Sequence, residues 1–221
     1  MLARLASIRN WIFDLDNTLY PADANLFAQV DQRMTGFIAD LLGVEPDEAR
    51  RLQKGWFHDH GTTLAGLMRE HAVDPHDFLA HVHHVEMAVL KENAPLAAAI
   101  ARLPGRKLVF TNGDKPYALK VLDRLGLGAS FEAIHDVHAM DLVPKPDPSA
   151  YAGLCAAFGL DPAESLFADD MARNLVPAKA IGMTTLWVDN GSEQATDAGR
   201  DHIDFITADV TAWLHHILED A

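Results

Sequence analysis

Apolar, β-favouring residues run without a gap through Trp11, Ile12 and Phe13 into two aspartates, Asp14 and Asp16. A short apolar run ending in polar residues reads as a buried parallel strand. Beyond Tyr20-Pro21 the period changes to that of a helix. From Asp23 to Gly43 the apolar positions are Leu26, Phe27, Val30, Met34, Phe37, Ile38, Leu41 and Leu42, one broad stripe closed by Gly43. Pro46 opens a second helix running toward Phe57. A polar break follows, His58-Asp59-His60-Gly61-Thr62-Thr63, where Thr62 or Thr63 caps a third helix through Met68. Asp74-Pro75 starts a fourth, with Phe78, Val82, Val85 and Val89 on one face. The pattern predicts an all-helical insert over residues 22–92, bounded by Pro21 and by Asn93-Ala94-Pro95.

The remainder alternates strand and helix. Strands are expected at Lys107–Phe110, more weakly at Phe131–Asp136, and at Ser165–Ala168 and Thr184–Val188, the last clear strand of the series. Helices are expected at Pro116–Leu125, Pro148–Phe158 and Leu175–Ile181, closed by Gly126, Gly159 and Gly182. A polar surface loop over 191–200 and a terminal helix over Asp209–Leu218 complete the chain. Such alternation implies an α/β protein with a parallel sheet covered by helices on both faces.

Composition narrows the function classes. At 221 residues and 49% hydrophobic content the chain can bury a core as one domain, or one domain with an insert. A formal net charge of −14 argues against a broad basic face for nucleic acid. It leaves room for a small anionic substrate, because a bound metal and one lysine reverse the local field. Cys155 stands alone and suits a reducing, cytoplasmic setting. The MLARLASIRN stretch is too short to be a secretory signal, and no apolar run is long enough to span a membrane.

The candidate chemistry lies at strand ends. On extended chain Asp14 and Asp16 point roughly the same way, and paired carboxylates beside a core call for a cation, Mg²⁺ first. Taken alone, the pair reads better as a strand running into an acidic turn. Three further stretches change the weighing. Leu108-Val109-Phe110 runs into Thr111-Asn112-Gly113, Leu166-Phe167-Ala168 runs into Asp169-Asp170, and Pro144-Lys145-Pro146 holds one lysine between prolines. Ligands of parallel sheets bind beyond the strands' carboxyl ends. Asp14, Asp16, Thr111, Asn112, Lys145, Asp169 and Asp170 are therefore expected to converge.

With these residues in view, the chain resembles the haloacid dehalogenase-like superfamily of hydrolases. FDLDNTLYP is similar to its D-x-D-x-[TV] motif, FTNG to its second motif, PKPDP to its lysine motif and FADDMARNL to its acidic motif. The resemblance implies a Rossmann-like doubly wound core, residues 1–21 and 93–221, carrying a helical cap, 22–92. It implies Asp14 as the nucleophile that becomes an aspartyl-phosphate, and Asp16 as general acid and then base. It implies Mg²⁺ held by Asp14, the Asp16 carbonyl and Asp170, with Asp169 a partner of these or a further ligand. Thr111 and the N–H groups of Asn112 and Gly113 would hold the phosphoryl group, and Lys145 would balance its charge. Dehalogenase members lack the second aspartate, so Asp16 points away from carbon–halogen chemistry.

More narrowly, FDLDNTLYP, HGTTLAGL, FTNG and the DD-x-x-x-N form look like the pyrimidine 5′-nucleotidase-like branch, with a nucleoside 5′-monophosphate as substrate. His60, Thr62 and Thr63 are the candidates for contacts to the nucleoside, a helix cap and surface turn being the alternative. A sugar-phosphate or phosphoglycolate phosphatase and a phosphomutase are competing readings on the same fold, and a non-catalytic binding protein is a third. The resemblance leaves monomer and homodimer both open.

Other chemistry-bearing residues carry blander expectations. His81, His83 and His84 read as a solvated or interface face, since no second element supplies ligand spacing. His215 and His216 are weaker candidates still. Trp56 and Phe57 read as insert core and Cys155 as a small buried apolar residue. Asp147 reads as a helix N-cap before Pro148, while Asn174 either caps a helix or shapes the acidic loop.

Overall fold

The structure, a computed structural model, describes residues 5–192 and 200–219. Six parallel strands form one sheet in the order β3-β2-β1-β4-β5-β6. They are β1 (Asn10–Phe13), β2 (Arg106–Phe110), β3 (Ala133–His135), β4 (Ser165–Asp169), β5 (Thr184–Val188) and β6 (Phe205–Thr207). The chain builds outward from β1 to one side through β2 and β3, then to the other through β4, β5 and β6. A crevice opens where the order reverses, beyond the carboxyl ends of β1 and β4. Phe13 lies opposite Val109 on β2 and Ala168 on β4. The next residue of β1's chain, Asp14, thus stands level with Phe110 and Asp169, and its N–H donates to Ala168 O at 2.8 Å.

Nine helices accompany the sheet among the described residues. Four fall within residues 22–92: α1 (Leu26–Leu42), α2 (Pro46–His60), α3 (Thr63–His71) and α4 (Pro75–Val82). The others are α5 (Ala94–Arg102), α6 (Lys115–Arg124), α7 (Pro148–Phe158), α8 (Ala172–Ala180) and α9 (Val210–Glu219). Prolines in the first turns and side-chain N-caps start most of them. Asp74, Asn93, Asp114 and Asp147 each accept from a backbone N–H of the turn that follows. In the insert, Gly66 lets α3 approach α2: a Cβ there would lie 2.4 Å from Trp56 Cβ. Trp56 is correspondingly buried.

Several expectations need adjustment. The fourth insert helix ends at Val82, so Val85 and Val89 do not lie on it; Val89 falls in a separate 3-10 turn, Met87–Val89. α5 occupies the segment read only as a boundary. α8 begins at Ala172, ahead of Leu175. β6 escaped notice because its residues are half-buried or exposed at the sheet edge and too few to show a period. Of the expected surface loop, residues 193–199 lie outside the described residues. Among the described residues no helix is long and apolar enough to cross a membrane.

Candidate active site

Four polar segments meet at the crevice, and one ammonium organises them. Lys145 Nζ donates to Asp14 Oδ1, to Asp169 Oδ2 and to Phe110 O, each at 2.8 Å. Its side chain is 1% exposed. Burial alone would lower its pKa, but the two carboxylates hold it above the usual lysine range. Asn112 fixes the loop that carries it: Asn112 Nδ2 donates to Lys145 O at 3.1 Å, and Lys145 N–H donates to Asn112 Oδ1 at 2.9 Å. The Asn112 amide thus grips the lysine loop.

The carboxylates are overfull of charge. One oxygen each of Asp14, Asp169 and Asp170 lies within 4.8 Å of the others, and all three residues are buried. Burial, with Asp169 and Asp16 nearby, pushes Asp14 up to about 7 despite the opposing pull of Lys145. Burial, with Asp169 and Asp14 nearby, pushes Asp170 well above the carboxylate range. Asp169 is saturated, since Asn174 Nδ2 donates to both its oxygens at 3.0 Å and Met171 N–H to Oδ1 at 2.8 Å. Asn174 therefore shapes the acidic loop, one of its two expected roles. Hard oxygen donors in excess of the one lysine suit Mg²⁺, with Asp14 and Asp170 the less encumbered ligands.

Asp16 is held apart from this cluster. Its Oδ1 accepts from Tyr20 Oη at 2.5 Å and from Tyr117 Oη at 2.7 Å. Burial raises its pKa against the pull of both hydroxyls. Burial and the adjacent Asp16 in turn push both phenols well above their usual range, so they stay donors. The Tyr117 ring stacks on His83, with centroids 4.1 Å apart and planes 12° from parallel. His83 Nδ1 in turn meets Asp114 Oδ1 at 3.0 Å. Sequence reasoning missed all three. Tyr20, one helical turn beyond Asp16, and Tyr117, opening the helix after FTNG, left a faint trace; His83 left none beyond its place in a histidine cluster.

Thr111 and Gly113 sit beside the lysine. Thr111 Oγ1 accepts from Gly113 N–H at 3.0 Å, so that N–H is already engaged. From the insert, α1, α2 and α4 cover the cavity with Phe27, Met34, Phe57 and Phe78, and Gln53 and Lys54 give it a polar edge. Thr62 and Thr63 line the cavity too. Each hydroxyl already has one protein partner: Thr62 Oγ1 accepts from Ala65 N–H at 3.1 Å and keeps its own O–H, and Thr63 Oγ1 donates to Gln53 O at 3.3 Å and keeps its lone pairs. His60 is not in the lining and meets Glu70 at 3.2 Å instead. Phe57 is a cavity residue as well as a packing one, whereas Trp56 is core as expected.

The insert touches the motifs directly. Gly61, with φ +85°, lies against Pro144, Lys145 and Pro146. The lysine loop therefore takes up the space beside Gly61. Arg173 Nη2 donates to Gly61 O at 2.8 Å, and its guanidinium lies 4.0 Å from the centre of the Phe57 ring.

A family model described as haloacid dehalogenase-like hydrolase matches residues 8–182. Phosphate metabolism protein 8 of Saccharomyces cerevisiae is 27% identical over 191 residues, 78% of this chain and 59% of that protein. Phosphoglycolate phosphatase 1 of Pseudomonas aeruginosa is 27% identical over 191 residues, 78% of this chain and 66% of that protein. The chain thus spans about three-fifths to two-thirds of these relatives' length. The crystal structure of an HAD phosphatase from Thermococcus onnurineus superposes with a TM-score of 0.64 at 20% identity, covering 96% of this chain and 98% of that one. Matched by the family model across all four motifs, the chain belongs to the haloacid dehalogenase-like hydrolases.

Proposed function

We propose that this chain is a Mg²⁺-dependent phosphomonoester hydrolase working through an aspartyl-phosphate on Asp14. The observation that carries this reading is the division of labour between two neighbouring carboxyls. Asp14 is paired with Lys145 and grouped with Asp170, while Asp16 is withdrawn onto two tyrosine hydroxyls and faces the same cavity. Asp14 and Asp170, with the Asp16 carbonyl, would hold Mg²⁺. When bound, the ion neutralises phosphoryl oxygens and aligns in-line attack.

The chain's own residues carry the proton and bond changes. An Asp14 oxygen bonds to phosphorus as the bond to the leaving oxygen breaks, and Asp16 gives that oxygen its proton. Water then attacks phosphorus, Asp16 takes the water's proton, and the bond to Asp14 breaks to release phosphate. Lys145 steadies both Asp14 and the transferring group. Thr111 and the Asn112 N–H serve the phosphoryl oxygens. The Gly113 N–H serves mainly to fix Thr111.

Residues 22–92 act as a cap over residues 1–21 and 93–221, and discrimination between leaving groups falls to them. An aromatic, apolar lining with a polar edge supports a nucleoside 5′-monophosphate, and the branch resemblance supports a pyrimidine base. The name of the Pseudomonas relative favours a second reading, a phosphoglycolate-type substrate on the same machinery.

Phosphate release without any bisphosphate activator, across UMP, CMP, AMP, GMP, phosphoglycolate and hexose phosphates, tests this. UMP or CMP is expected to give the highest kcat/KM. A best result with phosphoglycolate or a sugar phosphate would refute the nucleotidase reading and leave the hydrolase reading standing. Asp14→Asn is expected to fold, to form no phosphoenzyme and to lose turnover; substantial activity would end the mechanism.

A further inference from the structure

We infer that Tyr117, clamped by His83 of the helical insert and helped by Tyr20, positions the Asp16 carboxyl for proton delivery to the leaving oxygen. The inference rests on the reading of Asp16 as the general acid. It assigns the two tyrosines and the histidine a role in the reaction without contact to the reacting atoms.

Three features of the geometry carry it. First, both hydroxyls donate to one oxygen, Oδ1, at 2.5 and 2.7 Å. Two donors on one oxygen restrain the carboxyl and leave Oδ2 outside these hydrogen bonds, and Asp16 lines the cavity. Asp16 needs such a restraint, because it sits on a loop past the strand and the next residue, Asn17, has φ +57°. A general acid must lie within about 2.6–3.2 Å of the atom it protonates.

Second, the clamp is rigid. Tyr117 and Tyr20 are 1% and 2% exposed. Asp114 accepts from Tyr117 N–H at 3.0 Å and meets His83 Nδ1 with the same oxygen. One carboxylate thus ties the histidine to the base of the helix that carries the tyrosine.

Third, the clamp joins two parts of the chain. His83 follows α4 of the insert, whereas Asp114 and Tyr117 belong to the turn and helix after β2. The stack exists only when the insert lies over the sheet edge. Alignment of the acid is thereby coupled to coverage of the cavity, so the proton is aimed where water is excluded.

The test uses leaving groups that differ in their need for a proton. The best alkyl phosphate of the substrate panel needs protonation of its leaving oxygen; 4-nitrophenyl phosphate does not. kcat/KM reports bond breaking before the common hydrolytic step. Tyr117→Phe is expected to lower kcat/KM about tenfold on the alkyl ester and less than about threefold on the aryl ester, a part of the 10²–10⁴-fold that a general acid contributes. His83→Ala is expected to act in the same direction more weakly, and His83→Phe, which keeps a ring on Tyr117, to recover most of the loss. Inhibition by inorganic phosphate is expected to stay unchanged in all three.

Asp16→Asn is the control, expected to be the most leaving-group-selective of the set. If Asp16→Asn is selective but Tyr117→Phe lowers both substrates alike, or neither, the positioning role is overturned. If Asp16→Asn shows no selectivity, the acid assignment itself fails and the positioning role falls with it.

Discussion

Lys145→Ala separates the structural from the chemical work of the central ammonium. The substitution strips Asp14 and Asp169 of an ion partner at 2.8 Å each and Phe110 O of a donor. At an effective dielectric of about 20, each pair is worth roughly 6 kcal/mol before desolvation. Burying the ammonium offsets much of that, and removing one partner of a buried network costs about 3–5 kcal/mol net. For a chain of this size that corresponds to a Tm lower by roughly 10 °C. Urea unfolding in chelator at neutral pH measures the loss directly. Mg²⁺ is expected to recover more stability in the variant than in the parent, because the unpaired carboxylates gain a counter-ion that binds only the folded state. Turnover at saturating Mg²⁺ is expected to fall by about a hundredfold or more, as when one preorganised charge stabiliser is lost. A variant within about 1 kcal/mol of the parent in chelator would refute the assignment of Lys145 as the ion that permits Asp14 and Asp169 to be buried together.

Asp170→Ala is expected to keep the fold and to raise the Mg²⁺ concentration needed for half-maximal activity by an order of magnitude or more; an unchanged requirement would remove Asp170 from the ligand set. Arg173→Leu removes the donor to Gly61 O and the cation over Phe57. It is expected to raise KM several-fold with a smaller change in kcat, and unaltered steady-state kinetics would show that this contact does not hold the insert over the site. Asp204 is held below its usual pKa: burial opposes this, but Lys179 and Thr185 N–H prevail. Its contribution is thus present above the unfolded value of about 3.9 and lost as pH falls through the lower folded value. Asp204→Asn is therefore expected to be less stable than the parent in urea at pH 7, with the difference closing below about pH 4; a pH-independent difference would contradict this.

The sheet and its catalytic edge were legible because each is written in consecutive residues. Trp11 to Phe13 and Leu166 to Ala168 are buried on both faces, so they are apolar throughout, and their polar ends mark the edge without any knowledge of neighbours. Thr184–Val188 matches the sequence reading to the residue for the same reason. β6 was illegible because an exposed edge strand of three residues imposes no pattern. The Tyr20–Asp16–Tyr117–His83 chain was illegible for a different reason. Its links come from three segments, and nothing in a local pattern tells a tyrosine that caps an aspartate from one that fills a core.

The insert shows where periodicity stops being informative. Leu26, Phe27, Val30, Met34 and Ile38 form one stripe on α1, yet they do different things. Leu26 and Ile38 are buried in the core, Phe27 and Met34 line the cavity, and Val30 does both. A stripe facing a packed neighbour and a stripe facing a ligand have the same period, because both exclude water. The polar break His60–Thr63 stood out by contrast and drew the substrate assignment to itself. Its threonine hydroxyls line the cavity and also satisfy the start of α3 and the backbone of α2. Elsewhere in the lining, Gln53 Nε2 and Lys54 Nζ both donate to Asp31 Oδ1 at 2.7 and 3.0 Å. A polar ligand edge discriminates most strongly when it meets groups held this firmly. Asp31, Gln53 and Lys54 line the cavity beside Thr62 and Thr63, so the α1–α2 contact is proposed as a second source of leaving-group selectivity, with the aromatic lining setting the size of what enters.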